Sequence, residues 1–253
     1  MGNAILLEHV SSGYGGSDVL HDINLAIPEG TKVALVGPNG CGKTTLLRTL
    51  IRSIRSSGNI SIFGQDLKGM SRKDIAGFIS LLSQYQENSF EFTVRETIEL
   101  GTYAHNKKSC VSGILERTGL TELADTPVST LSGGQKQRVF LARTLAQRSP
   151  VMLLDEPMNH LDIKYIKEIS DLLLEWAQGT TTLSDGRVVR NTLIGVWHDI
   201  SMARIMSDTV IFLKDGRLVA SGVTEEVDYK KTLEDVYGMD VAGYMARLGD
   251  LWR

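Results

Sequence analysis

With 253 residues and an apolar fraction of 42%, the chain has material for one large domain with a sizeable core. A net charge of −3 offers no basic field, so no nucleic-acid partner is expected. Cys41 and Cys110 are too few for a disulfide framework or a metal site. The opening MGNAILLEHV lacks the charged and apolar regions of a signal peptide, and no apolar run approaches the ~18 residues of a membrane span. The expectation is a soluble, cytoplasmic chain that would need a partner for any membrane role.

In chain order, Ile5–Val10 and Val19–Ile27 read as an antiparallel pair around a turn-rich Ser11–Asp18 that carries Tyr14. Tyr14 is open to two readings, simple packing or a platform on which a base stacks. Val33–Val36 is a buried strand. It runs into Gly37-Pro38-Asn39-Gly40-Cys41-Gly42-Lys43-Thr44-Thr45, which fits the phosphate-loop pattern G-x-x-x-x-G-K-[ST] and opens a helix. The glycines let backbone N–H groups close on phosphate oxygens, and the helix N-terminus adds partial positive charge. Lys43 suits the terminal phosphates and the Thr44 hydroxyl suits Mg²⁺.

Further on, Gly58–Gly64 reads as a short strand, Ser71–Gly77 as a brief helix and Phe78–Gln84 as a buried strand ending on an amide. Tyr85–Thr93 is a loop. Thr93 with Glu96 three residues on marks a helix start, with the helix running to about Tyr103. Ser112–Thr118 and Thr121–Ala124 are short helices. Leu131-Ser132-Gly133-Gly134-Gln135 opens a strong helix, Gln135–Arg148. Val151–Asp155, followed by Glu156, has the character of a central parallel strand that ends on two carboxylates. A helix over Ile163–Gln178 follows, then a strand Asn191–Trp197 ending at His198, a helix Ser201–Ser207, a hairpin around Asp215-Gly216 and a helical tail from Thr224. The fold class is α/β: a P-loop NTPase core with a mainly parallel sheet, an N-terminal antiparallel β-subdomain and an inserted α-helical subdomain. It is one domain over residues 1–253, with the core in about 1–84 and 149–253 and the helical part in about 85–148.

Ligands of open α/β sheets lie beyond the carboxyl ends of the strands. The phosphate loop, Gln84, Asp155-Glu156 and His198 all fall there. ATP hydrolysis needs a metal ligand, a polarised water and stabilisation of phosphoryl charge. Asp155 suits the metal. Glu156 suits the attacking water. Gln84 suits both metal and water, and His198 suits the γ-phosphate, with a helix cap before Asp199 as the alternative. Ser132, Gly133 and Gly134 offer a hydroxyl and bare amides at a helix start, which makes a second anion site. A second site in another subdomain makes most sense facing another molecule's nucleotide.

On these residues the chain resembles the ATP-binding subunits of ABC transporters along nearly its whole length. The resemblance implies that Tyr14 is the aromatic that stacks adenine, Gly37–Thr45 the Walker A loop, Gln84 the Q-loop glutamine and Leu131–Gln135 the signature motif. By the same resemblance Val151–Asp155 is Walker B, Glu156 the catalytic glutamate, Asn159–Asp162 the D-loop with Asp162 at the nucleotide, and His198 the switch histidine. It implies ATP and Mg²⁺, and a head-to-tail dimer, a homodimer by simplest reading, that closes on two ATPs. It also implies membrane permease subunits, a substrate-binding protein, and a place on the inner face of the cell membrane, where Tyr85–Thr93 receives a coupling helix. Thr93–His105, Asn159–Ile163 and Trp197–Ala203 are spelled like importer subunits for iron–siderophore, haem or cobalamin complexes. An exporter subunit and a soluble ABC-type ATPase of cofactor assembly are the alternatives. Three departures stand out. Met158 replaces the usual Thr. Cys41 replaces a common Ser at a position expected to contribute mainly backbone. Gly179–Arg190 adds a stretch read as a hairpin with a partner or dimer contact, or as neutral decoration.

Overall fold

The structure, a computed structural model, describes residues 2–83, 91–105, 110–159, 161–197 and 199–250. The first half of the chain runs β1 (Asn3–Tyr14), β2 (Ser17–Pro28), β3 (Lys32–Val36), α1 (Lys43–Leu50), β4 (Asn59–Ile62), β5 (Gln65–Asp66), α2 (Arg72–Phe78), β6 (Ile79–Leu82), α3 (Val94–Gly101), α4 (Val111–Arg117) and α5 (Gly133–Ala146). The second half runs β7 (Val151–Asp155), α6 (Ile163–Ala177), β8 (Thr180–Thr182), β9 (Val188–Arg190), β10 (Thr192–Val196), α7 (Ile200–Met206), β11 (Thr209–Lys214), β12 (Arg217–Val223), α8 (Tyr229–Tyr237) and α9 (Val241–Asp250).

Strands β2-β1-β4-β5 form an antiparallel sheet in that order. The stretch expected as a turn, Ser11–Asp18, is mostly strand. Only Gly15 and Gly16 turn, with φ of 59° and 89°, the two positive values that a tight hairpin turn requires. The polar residues that suggested a loop are absorbed by irregularities in the β1–β2 register.

A second sheet has the order β12-β11-β3-β10-β7-β6, with every pair parallel except the last hairpin, β11–β12. Strands β7 and β10 are buried along their whole length. Because successive side chains point to opposite faces, this sheet feeds two cores. Ala34, Val36, Met152, Leu154 and Leu193 pack with α3, α5, α6, α7 and α8. Val33, Leu35, Val151, Leu153 and Ile194 pack with α1 and the antiparallel sheet.

The helix starts follow side-chain chemistry. Ser71 with Asp74, Thr93 with Glu96 and Ser132 with Gln135 each form a reciprocal capping box. Helix α5 begins at Gly133, two residues before the expected Gln135, because Ser132 is the cap. Helix α3 ends at Gly101 and continues as a 3₁₀ turn through Ala104. It lies so close to α5 that a Cβ at Gly101 would stand 2.1 Å from the Arg143 carbonyl oxygen. The expected helix at Thr121–Ala124 is a single 3₁₀ turn, Thr121–Leu123. Among the described residues no helix is long and apolar enough to cross a membrane.

The stretch 179–190 is the hairpin its Asp-Gly pair suggests, with β8 and β9 paired antiparallel. It turns inward. Leu183 and Val189 join the core beneath the antiparallel sheet. The Arg187 guanidinium donates to the Phe63 carbonyl and Arg190 to that of Glu29. Gly30 is required where Arg190 crosses, since a Cβ there would meet the arginine side chain at 2.8 Å. The hairpin is thus first a clasp between its own two sheets. Leu183 is 7% exposed and Val188 64%. Leu183→Ala should therefore cost about 2–3 kcal/mol in urea unfolding, and Val188→Ala should stay within about 0.5 kcal/mol.

Candidate active site

The phosphate loop leaves β3 and enters α1 over a close-packed floor. A Cβ at Gly37 would sit 2.1 Å from the Leu213 carbonyl oxygen and 2.7 Å from the Cys41 sulfur. One at Gly42, where φ is 107°, would meet Leu20 at 2.6 Å. The loop is tied to the β11–β12 turn by the Gly216 N–H, which donates to the Cys41 carbonyl at 3.1 Å. Cys41 does more than supply backbone: its side chain is buried under the loop, and burial pushes its thiol pKa up.

Lys43 folds back over this loop. Its ammonium donates to the carbonyls of Gly37 at 2.6 Å and Pro38 at 2.9 Å. The side chain is buried, and its ammonium also lies 3.9 Å from the Cys41 sulfur. The Thr44 hydroxyl donates to Asp155 Oδ1 at 3.0 Å. Asp155 ends β7 and is 5% exposed. Loss of water raises its carboxyl pKa; the Thr44 hydrogen bond opposes that rise, and Glu156 adds to it. Asn39, Gly40, Gly42, Lys43, Thr44, Thr45 and Glu156 line an open cleft above the loop.

Glu156 adopts a left-handed backbone with φ of 54°, a rare conformation for a side chain of its size. Its N–H donates to the Val196 carbonyl at 3.3 Å, carrying the β7–β10 ladder one residue past β7. The Asn159 amide donates to Glu156 Oε2 at 2.5 Å. Asn159 opens the motif stretch Asn159–Asp162, and the one sequence signal for this contact is its three-residue spacing from Glu156.

Other expected residues lie apart. Tyr14 sits at the β1–β2 tip, 43% exposed, and its hydroxyl accepts from Arg48 at 3.2 Å. Ser132 and Gly133 are exposed at the start of α5, where the Ser132 hydroxyl accepts from the Gln135 N–H. Gly134 has no room for a side chain, because a Cβ would meet the Tyr165 ring at 2.9 Å. Asp162 caps α6 by accepting from the Tyr165 N–H at 3.1 Å. None of Tyr14, Ser132–Gln135 or Asp162 lines the cleft over the phosphate loop. Gln84, His198 and most of Tyr85–Thr93 lie outside the described residues.

A family model described as ABC transporter matches residues 20–159. The chain belongs to this family of ATP-binding subunits. It is 36% identical to the ferric enterobactin transport ATP-binding protein FepC of Escherichia coli over 92% of this chain and 86% of that one. It is 36% identical to the iron(3+)-hydroxamate import ATP-binding protein FhuC of Bacillus subtilis, covering 94% and 89%. The hemin import ATP-binding protein HmuV of Aliivibrio fischeri is 36% identical, covering 93% and 90%. Among solved structures, CbiO1 of Clostridium perfringens, part of an ABC transporter complex, superposes with a TM-score of 0.77 at 27% identity over 100% of this chain and 99% of that one. A dimeric ATP-binding cassette in a post-hydrolysis state with ADP and phosphate superposes with a TM-score of 0.74 at 28% identity, covering 87% and 98%. The chain is thus an ATP-binding, ATP-hydrolysing subunit of the ABC transporter type, and the fold is the mixed α/β fold of that family.

The buried Asp155 carboxylate has a measurable consequence in this subunit. A carboxyl whose pKa is raised on folding weakens the fold while ionised, and the cost is relieved as pH falls through that raised pKa. Asp155→Asn keeps an acceptor for Thr44 and removes the charge. It should raise the melting temperature of the nucleotide-free protein by a few degrees near neutral pH, with the gain shrinking toward acid.

Proposed function

We propose that this chain is the ATPase subunit of an importer for an iron chelate, a siderophore or haem, and that two copies meet head to tail with two ATP molecules between them. The cargo follows the relatives, whose names are ferric enterobactin, iron(3+)-hydroxamate and hemin. Membrane permease subunits, a substrate-binding protein and a place on the inner face of the membrane belong to the same reading.

Each residue has a task in it. The loop amides of Gly37–Thr45 hold the phosphates, with Lys43 turning from the carbonyls of Gly37 and Pro38 to them. The donors at Thr44 and Asp155 are both oxygens, the chemistry Mg²⁺ takes, and Asp155 is a buried carboxylate that gains from a cation. Bound there, Mg²⁺ neutralises charge on the phosphates. Gln84 completes that set and senses the nucleotide. Glu156 orients and deprotonates the attacking water, and His198 donates to the γ-phosphate. Tyr14 stacks the base, and Ser132, Gly133, Gly134, Gln135 and Asp162 serve the partner subunit's nucleotide.

One observation carries the shared-site reading: Ser132 and Gly133 stand exposed at a helix start outside their own chain's phosphate cleft. A helix N-terminus of that kind recognises an anion, and here it is available to a second molecule. Glu156→Gln should cut turnover by about 10²–10⁴ while ATP drives the variant into a dimer seen by size exclusion or scattering. A variant that stays monomeric in ATP would sink the shared site. Ser132→Arg should abolish hydrolysis and leave nucleotide binding to the isolated chain within about twofold; equal loss of both would count against a role in trans.

A further inference from the structure

Glu156 stands between two spaces. On one side it lines the phosphate cleft with Lys43 and Thr44. On the other it lines a smaller cavity walled by Met158, Asn159, Ile166, Trp197 and Met202. Asn159 belongs to the second space and does not line the first. Its amide reaches back three residues and donates to Glu156 Oε2 at 2.5 Å, and its own N–H faces the Glu156 carbonyl at 3.4 Å.

The surroundings leave this pair little freedom. The Glu156 N–H is held by the Val196 carbonyl. The Trp197 ring lies so close over Gly195 that a Cβ there would stand 2.6 Å away, so the cavity wall cannot retreat into β10. Met158 is held from beneath by the Ser170 hydroxyl, 3.8 Å from its sulfur. A glutamate side chain has three rotatable bonds, and a general base works only when its oxygen is held within reach of the proton it takes. A charge-assisted hydrogen bond from a fixed amide removes that freedom.

We infer that Asn159 is a positioning residue for the hydrolytic reaction: it anchors one carboxylate oxygen of Glu156 from the cavity side and so sets the orientation the carboxylate presents to the phosphate cleft. The inference rests on the reading of Glu156 as the base. Asn159 touches neither phosphate nor metal in it and acts through Glu156 alone.

Asn159→Leu keeps the branched heavy-atom shape, at a larger volume, and removes the donor. Asn159→Ser keeps a shorter donor. In steady-state ATPase assays with Mg²⁺, Asn159→Leu should lower kcat about tenfold with the ATP KM within twofold, and Asn159→Ser should recover part of that loss. In single-turnover measurements on the Glu156→Gln background, adding Asn159→Leu should cost nothing further, because the carboxylate it serves is gone. Wild-type kcat in Asn159→Leu would overturn the inference. So would a loss of the same size in both backgrounds, or a drop in melting temperature that accounts for the lost turnover. If Glu156→Gln itself keeps wild-type turnover, the reading of Glu156 falls and the inference with it; if only Asn159→Leu is normal, the inference falls alone.

Discussion

A strand covered on both faces has no side to give to water. Strands β7 and β10 are in that position, and β3 nearly so. Their side chains must therefore be apolar, and polar groups are pushed to where the strands run out. That constraint places the phosphate loop after β3, Asp155 at the last position of β7 with Glu156 just beyond it, and Trp197 after β10, all at one edge. The parallel register then sets them side by side, with Val196 opposite Asp155 and its carbonyl taking the Glu156 N–H. Charge gathers where burial stops, and chemistry follows the charge.

The two-faced sheet also explains the division of labour. One face supports the antiparallel sheet, with Tyr14 at its tip and α1 beneath. The other supports the helices, with Ser132 exposed at the start of α5. Gln137 joins these helices to the strand edge by donating to the Pro157 carbonyl at 2.7 Å, and Arg138 pairs with Glu168 on α6. The end of β7 and the start of α5 are therefore linked through short, saturated contacts.

Much of this was legible in the sequence because the signals were local. A capping box is read from four residues, and Thr93 with Glu96 behaves as its chemistry dictates, whereas Ser132 with Gln135, legible in the sequence only as an anion site, forms another such box. Apolar runs ending on Asp155 or on the phosphate loop announce buried strands in the same way. Other features were hidden because the deciding contact is distant. Nothing within Ser11–Asp18 says that its polar residues sit in an irregular strand, since the partner strand supplies the hydrogen bonds. Nothing within 179–190 says that Leu183 points home, since Phe63 and Glu29 anchor that hairpin from more than a hundred residues away. The Asn159–Glu156 bond depends on a left-handed turn at a non-glycine residue, which propensity argues against. Gln84 and His198, read from motif and strand end, lie outside the described residues.

The indole of Trp197 is clamped against Gly195, and its ring N–H has no hydrogen-bond partner among the described residues. An indole held dry and rigid emits at short wavelength, and its emission shifts when water or a hydrogen-bond acceptor arrives. Once Trp176 and Trp252 are replaced by phenylalanine, the protein carries a native optical reporter on the wall of the cavity that Glu156 also lines. Rearrangement of that edge can then be timed in a stopped-flow fluorimeter without attaching a dye.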